Sequence, residues 1–196
     1  MRSPQHDSPS PDLPPPGMPF VCSWSGGKDS CLALYRALQT CAEPEFLLTM
    51  LHEDGTHSRS HGLPVHVLRA QARALRVPLV TRTTTWNDYE KNFVAALKAL
   101  RDEGVRGAVF GDIDIEDHRE WEREVCRRAG LECYLPLWGE VPRNLLDEFF
   151  MEGFSATVVA ASEDCSVDGL PGRELAPDMA EEMDQAGEDP AGENGE

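Results

Sequence analysis

Phe20-Val21-Cys22-Ser23-Trp24-Ser25-Gly26-Gly27-Lys28-Asp29-Ser30 runs from a short apolar stretch through a glycine pair into a helical segment. The pattern reads as a buried strand, a tight loop and a helix start. Neither glycine carries a Cβ, so the backbone can turn sharply and come close to an anion. The loop amides and the first unbonded N–H groups of the helix face one space, which makes it an anion site. Lys28 and the hydroxyls of Ser25 and Ser30 add donors, and Asp29 can hold Mg²⁺ beside phosphate oxygens. It is not a Gly-x-x-x-x-Gly-Lys-[Ser/Thr] loop, because Cys22 stands five before Gly27 and Asp29 follows Lys28. A Gly-x-Gly-x-x-Gly fingerprint is absent as well. A plain surface turn would account for Gly-Gly-Lys alone. It does not account for the whole hexapeptide at a strand end.

Outward from this loop, apolar runs at 20–24, 46–51, 78–83, 107–111, 132–135 and 157–161 alternate with helical stretches. Those stretches cover 28–38, 64–75, 88–103, 121–129 and 143–152. Cys31, Leu34, Tyr35 and Leu38 recur at spacings of three and four, as do Tyr89, Phe93, Ala96, Leu97 and Leu100. Strands alternating with helices predict a mostly parallel sheet covered on both faces, a Rossmann-like three-layer α/β/α sandwich. Right-handed crossovers complete that architecture. Ligands in such sheets gather at the carboxyl ends of the strands, where strand order reverses.

The chain has 196 residues, 40% of them hydrophobic and 27% charged, which suits one ordinary globular domain. Residues 1–18 are Pro-rich and read as a disordered tail, 19–170 as the folded domain, and 171–196 as an acidic C-terminal segment. No stretch approaches the roughly 20 apolar residues of a membrane span, and the N-terminus lacks a signal peptide's apolar region. A cytoplasmic location, away from membranes, is therefore expected. The net charge is −17, and no basic cluster exceeds Arg127-Arg128, so nucleic acid is disfavoured as a main partner. The six cysteines form no Cys-x-x-Cys pair. Five sit among apolar residues as small reduced hydrophobes, and Cys165 lies in a more polar stretch where it would be exposed.

Ser-Gly-Gly-Lys-Asp-Ser resembles the signature of the PP-loop ATP pyrophosphatases, within the adenine nucleotide alpha hydrolase-like fold. Five further blocks resemble, in order, the diphthine–ammonia ligase family. They are Ser58-Arg59-Ser60-His61-Gly62, Gln71-Ala72-Arg73-Ala74-Leu75 with Pro78-Leu79-Val80, Gly111-Asp112-Ile113, His118-Arg119-Glu120-Trp121-Glu122 and Pro136-Leu137-Trp138-Gly139. The resemblance implies a PP-loop ATP-binding domain over 19–170. It also implies an enzyme using ATP and Mg²⁺ to adenylate a carboxylate and form an amide with ammonia, releasing AMP and pyrophosphate. The family's acceptor is the diphthine residue of an elongation factor. For this chain the acceptor is a carboxylate on a protein side chain or small molecule, and the donor is ammonia or another nitrogen source. A homodimer is compatible with the sequence. Residues 187–196 look like a late family block that further strands normally follow, so the C-terminus reads as shortened.

The resemblance assigns nucleotide binding to Ser25, Gly26, Gly27, Lys28, Asp29, Ser30 and His61, with Asp29 toward the metal. It assigns catalysis to Lys28, Asp112, Arg119 and Glu122. Asp112 could position Mg²⁺ or substrate, or simply cap a turn. Arg119 could stabilise phosphate charge and Glu122 could orient ammonia or accept a proton, or the two could form an exposed ion pair at a helix start. Asp114 and Asp117 read as helix caps. Trp138 lines either the substrate pocket or the core. Gly111 reads as the residue that lets the chain turn after its strand. Two other outcomes stay open: a PP-loop enzyme with another acceptor, such as one that thiolates RNA, and a nucleotide-binding protein without catalysis. The missing Cys-x-x-Cys and the acidic charge weigh against thiolation.

Overall fold

The computed structural model describes residues 12–161, 165–167 and 169–192. Five strands form one sheet: β1 (Pro19–Ser23), β2 (Glu43–Leu51), β3 (Leu79–Thr83), β4 (Gly107–Val109) and β5 (Glu132–Tyr134). Their order is β3-β2-β1-β4-β5, and every neighbouring pair is parallel. Helices α1 (Lys28–Gln39), α2 (Val65–Leu75), α3 (Tyr89–Asp102) and α4 (Glu116–Ala129) connect them, and α5 (Pro142–Met151) follows β5. Side chains alternate along each strand between two separate cores. Phe20, Cys22, Leu47, Leu51 and Val109 pack with α1, α2 and α5. Val21, Leu48, Met50, Ala108 and Phe110 pack with α3 and α4 on the other face. The molecule has the three-layer α/β/α Rossmann-like architecture its strand–helix alternation predicts.

Strand order reverses between β1 and β4, so the crevice at their carboxyl ends is the natural ligand position. The loop carrying Gly26 and Gly27 and the segment carrying Gly111 and Asp112 both open into it.

Several expectations are corrected. The run at 157–161 is no sixth strand of this sheet: β6 (Ala156–Thr157) pairs antiparallel with β7 (Glu174–Leu175) in a separate ribbon. Its residues alternate between half-buried and exposed, whereas a central parallel strand needs apolar contacts on both faces. Within the acidic C-terminal segment, α6 (Pro177–Ala186) buries Met179 and Ala180 against Leu146 of α5. Pro177 opens that helix and Gly187, at φ 81°, closes it. Of the Pro-rich stretch, residues 1–11 lie outside the described residues. Residues 12–18 lie on the body, with Pro14 buried, its carbonyl accepting from Thr40 Oγ1 at 2.7 Å, and the Gly17 N–H donating to the Cys41 carbonyl at 2.9 Å. In α1 the buried apolar residues are Leu32, Ala33, Leu34 and Ala37, while Leu38 is exposed. The exposed cysteine is Cys41, and Cys165 is half-buried against the α6 core. No helix among the described residues is long and apolar enough to cross a membrane.

Candidate active site

The loop leaves β1 at Ser23 and enters α1 at Lys28. Gly26 takes φ 84°, a conformation other residues adopt only with strain. It is also crowded, because a Cβ there would lie 2.9 Å from each of Gln71 Oε1, Leu63 Cδ1 and Leu68 Cδ2. Gln71 of α2 fixes this bend by donating from Nε2 to the Gly26 carbonyl at 3.0 Å and accepting from Trp24 Nε1 at 3.1 Å. The two serines tie the loop to the helix start. Ser25 Oγ accepts from the Gly27 N–H at 3.2 Å and lies 3.1 Å from Ser30 Oγ, which donates to the Gly27 carbonyl at 3.0 Å. The N-cap of α1 is Gly27, which has no side chain to bond the first helix N–H groups, so the positive end of the helix dipole faces the loop. Lys28 Nζ lies 2.8 Å from Asp29 Oδ2, placing a cation and a carboxylate together at the mouth of the loop.

His61 reaches this loop from the connection after β2. That connection is laced by backbone bonds, Ser58 N–H to Leu63 O at 2.8 Å and Val65 N–H to Thr56 O at 2.8 Å, with Ser58 fully buried. A Cβ on Gly27 would stand 2.9 Å from His61 Nε2, so the ring lies over the glycine. Gly27 itself has an ordinary φ of −89°. Its missing side chain matters for space, not for torsion.

Gly111 follows the same logic, which corrects its reading as a turn residue. Its φ is not in the left-handed region, but a Cβ there would fall 2.8 Å from Asp29 C and Ser30 N. The end of β4 therefore presses backbone to backbone on the first turn of α1. Ile113, two residues on, borders a crevice with Lys28 and Asp29.

Asp112 lies beside this junction, and His118 Nδ1 is 2.8 Å from its Oδ1. Helix α4 begins at Glu116, earlier than position 121, because Glu116 and Asp117 favour the positive end of its dipole. Asp117 thus belongs to the first turn, and neither it nor Asp114 caps the helix. Arg119 and Glu122 do not pair with each other. Arg119 lies 3.2 Å from Glu116 Oε2, its guanidinium stacks 4.7 Å from the Trp138 ring centre, and its buried Nε has no partner. Trp138 therefore packs on Arg119 and on the α3–α4 core at once. Glu122 is only 3% exposed, and burial, with the negative Asp112 next, pushes its carboxyl up to about 11. Its Oε2 is buried without a hydrogen-bond partner, and the shift favours the neutral carboxyl beside Asp112. Nearby Tyr89 is raised to about 12, mainly by burial.

The structure brings the phosphate loop, His61 and the Gly111–Asp112 corner together at one sheet edge. Gln71, Ile113 and the spatial reason for Gly111 were missed as site features. Gln71 lies in the Gln71–Leu75 stretch, but nothing in its sequence neighbours shows that it reaches back to Gly26.

A parallel sheet of this order with an uncapped Gly-Gly-Lys loop at its reversal point defines a PP-loop protein of the adenine nucleotide alpha hydrolase-like class. The chain belongs to the diphthamide synthase N-terminal domain family, whose profile matches residues 18–133. No curated protein sequence matches the chain significantly. A crystal structure titled as a predicted subunit of tRNA methyltransferase from Methanocaldococcus jannaschii is similar at 18% identity, covering 88% of this chain and 90% of that one, with a TM-score of 0.48.

Proposed function

We propose that the chain is an ATP-dependent amide-forming ligase of the diphthine–ammonia ligase type. The observation that carries this reading is the Ser25–Ser30 loop, uncapped and set against Gly111 where strand order reverses. A carboxylate resists ammonia because oxide is a poor leaving group. In the proposed reaction the acceptor carboxylate oxygen attacks the α-phosphorus, the bond to the β-phosphate bridge breaks, and pyrophosphate leaves. Ammonia then attacks the acyl carbon, losing a proton as AMP departs. The loop amides, the α1 dipole and Lys28 stabilise charge on the β and γ phosphates. The carboxylate of Asp29 at the loop's mouth suits Mg²⁺, which when bound neutralises phosphate charge. His61 flanks the nucleotide over Gly27.

Asp112 orients the nitrogen nucleophile and takes its proton, passing it toward solvent through the exposed His118. Protonated Glu122 cannot be that base. Its role is to sit beside Asp112 without adding a second negative charge. Arg119, fixed on Trp138, offers charge to the α-phosphate side.

The test is product analysis after incubation with ATP, Mg²⁺, ammonium and carboxylate-bearing acceptors. AMP, pyrophosphate and an amide are expected, whereas ADP and orthophosphate would exclude the mechanism. Lys28→Ala should weaken ATP binding by about 10- to 100-fold, as losing a charged hydrogen-bond donor implies. Unchanged affinity would place the phosphates elsewhere.

A further inference from the structure

Residues 187–192 belong to a sequence block that the proposed reaction does not use, yet they reach the phosphate loop. Ala191 is 3% exposed, and it shares a crevice with Lys28, Asp29, Ile113 and the α5 residues Leu145 and Phe149. The crevice has no room for water. More than 160 residues of chain separate Ala191 from Lys28, so only the tertiary fold joins them.

The turn that delivers Ala191 is tied to the fold through Glu188 and closed by bonds of its own. Gly187 and Gly192 take φ 81° and 78°. The Glu188 N–H donates to Met183 O at 2.9 Å, which locks the turn to the end of α6. Glu188 Oε1 accepts from the Ser166 N–H at 2.7 Å, and Asp189 Oδ1 accepts from the Ala191 N–H at 2.9 Å. Helix α6 is in turn seated on α5 through Met179, Ala180 and Leu146. The C-terminal lobe thus forms a bracket whose tip lines the same crevice as the Lys28–Asp29 end of the loop.

We propose that the Gly187–Gly192 turn is a wall of the polyphosphate site, positioning the Lys28–Asp29 end of the loop for the β and γ phosphates. The proposal rests on the reading of that loop as the ATP site. Ala191 closes the apolar side of the crevice, so Lys28 and Asp29 are held from below and water is kept from that side. A firmly held lysine loses less freedom on meeting phosphate, which is how a wall raises affinity without touching the ligand.

The experiment compares the full chain with Ala191→Trp and with Glu188→Ala, measuring Mg·ATP and AMP binding by calorimetry and folding by thermal melting. Ala191→Trp forces the tip out, while Glu188→Ala loosens the turn from outside the crevice and spares the core. Both variants should bind ATP at least about tenfold more weakly, with AMP affinity changed less than about twofold, because AMP lacks the β and γ phosphates. Glu188→Ala keeps the test decisive if Ala191→Trp fails to fold. Unchanged ATP affinity in a folded variant overturns the proposal, and so does tighter binding, which would make the turn a competitor of phosphate. A parallel loss of AMP binding also overturns it, since general loosening would then be the cause. If the unaltered chain binds no ATP, the reading of the loop itself fails.

Discussion

Position 122 holds a glutamate that is 3% exposed and lies beside the carboxyl of Asp112. Its carboxyl would ordinarily ionise near 4.5, and in the fold it keeps its proton up to about 11. Between those values the native state binds a proton that the unfolded chain has lost. The contribution is therefore fully present below 4.5 and declines as pH rises through the window. Glu122→Gln keeps a neutral donor toward Asp112 without this dependence. Its stability relative to the parent should rise steadily between pH 6 and pH 9, by at most about 1.4 kcal/mol per pH unit. Urea denaturation at several pH values checks this, and parallel curves would mean that Glu122 is ionised in the fold. The sequence around Glu122, charged on both sides, reads as a solvated helix start. Burial of one residue in a charged run depends on which face of α4 meets α3, and that is not written locally.

Two glycines set how closely elements approach, and they do so differently. Gly111 brings β4 onto the first turn of α1, where a Cβ would meet backbone at 2.8 Å. Backbone in a helix cannot step aside, so Gly111→Ala should cost about 1–3 kcal/mol in denaturant unfolding. Gly27 faces the tip of a histidine ring, which can swing away. Gly27→Ala should leave stability within about 1 kcal/mol and act instead on ATP affinity by displacing His61. A Gly111→Ala protein as stable as the parent would show that the strand end can retreat. At this scale the five sheet strands were legible from short apolar runs and most helices from period-three-to-four patterns. The start of α4 and the existence of α6 were not, because in both a charged composition hides a short apolar contact, Val125 and Cys126 in one and Met179 and Ala180 in the other.

Across the whole molecule, two large cores sandwich the five-stranded sheet, and a smaller third cluster joins α6 and the β6–β7 ribbon to α5. Fewer buried apolar groups mean a smaller opening free energy. The amides of Val158, Gly172 and Ala180 should therefore exchange with solvent faster than those of Trp24, Leu47 and Phe110, all of which are hydrogen-bonded. Equal protection would mean one cooperative unit. The amino-acid sequence by itself determined the sheet-and-helix class, the Ser25–Ser30 loop and its place at a strand end, since these follow from neighbours within a dozen residues. Only the tertiary structure decided that Gly111 touches α1, that Glu122 is buried, that Gln71 holds the glycine bend and that Ala191 lines one crevice with Lys28. Those contacts join residues far apart in the chain, and local chemistry cannot specify a distance that the packing of several elements sets together.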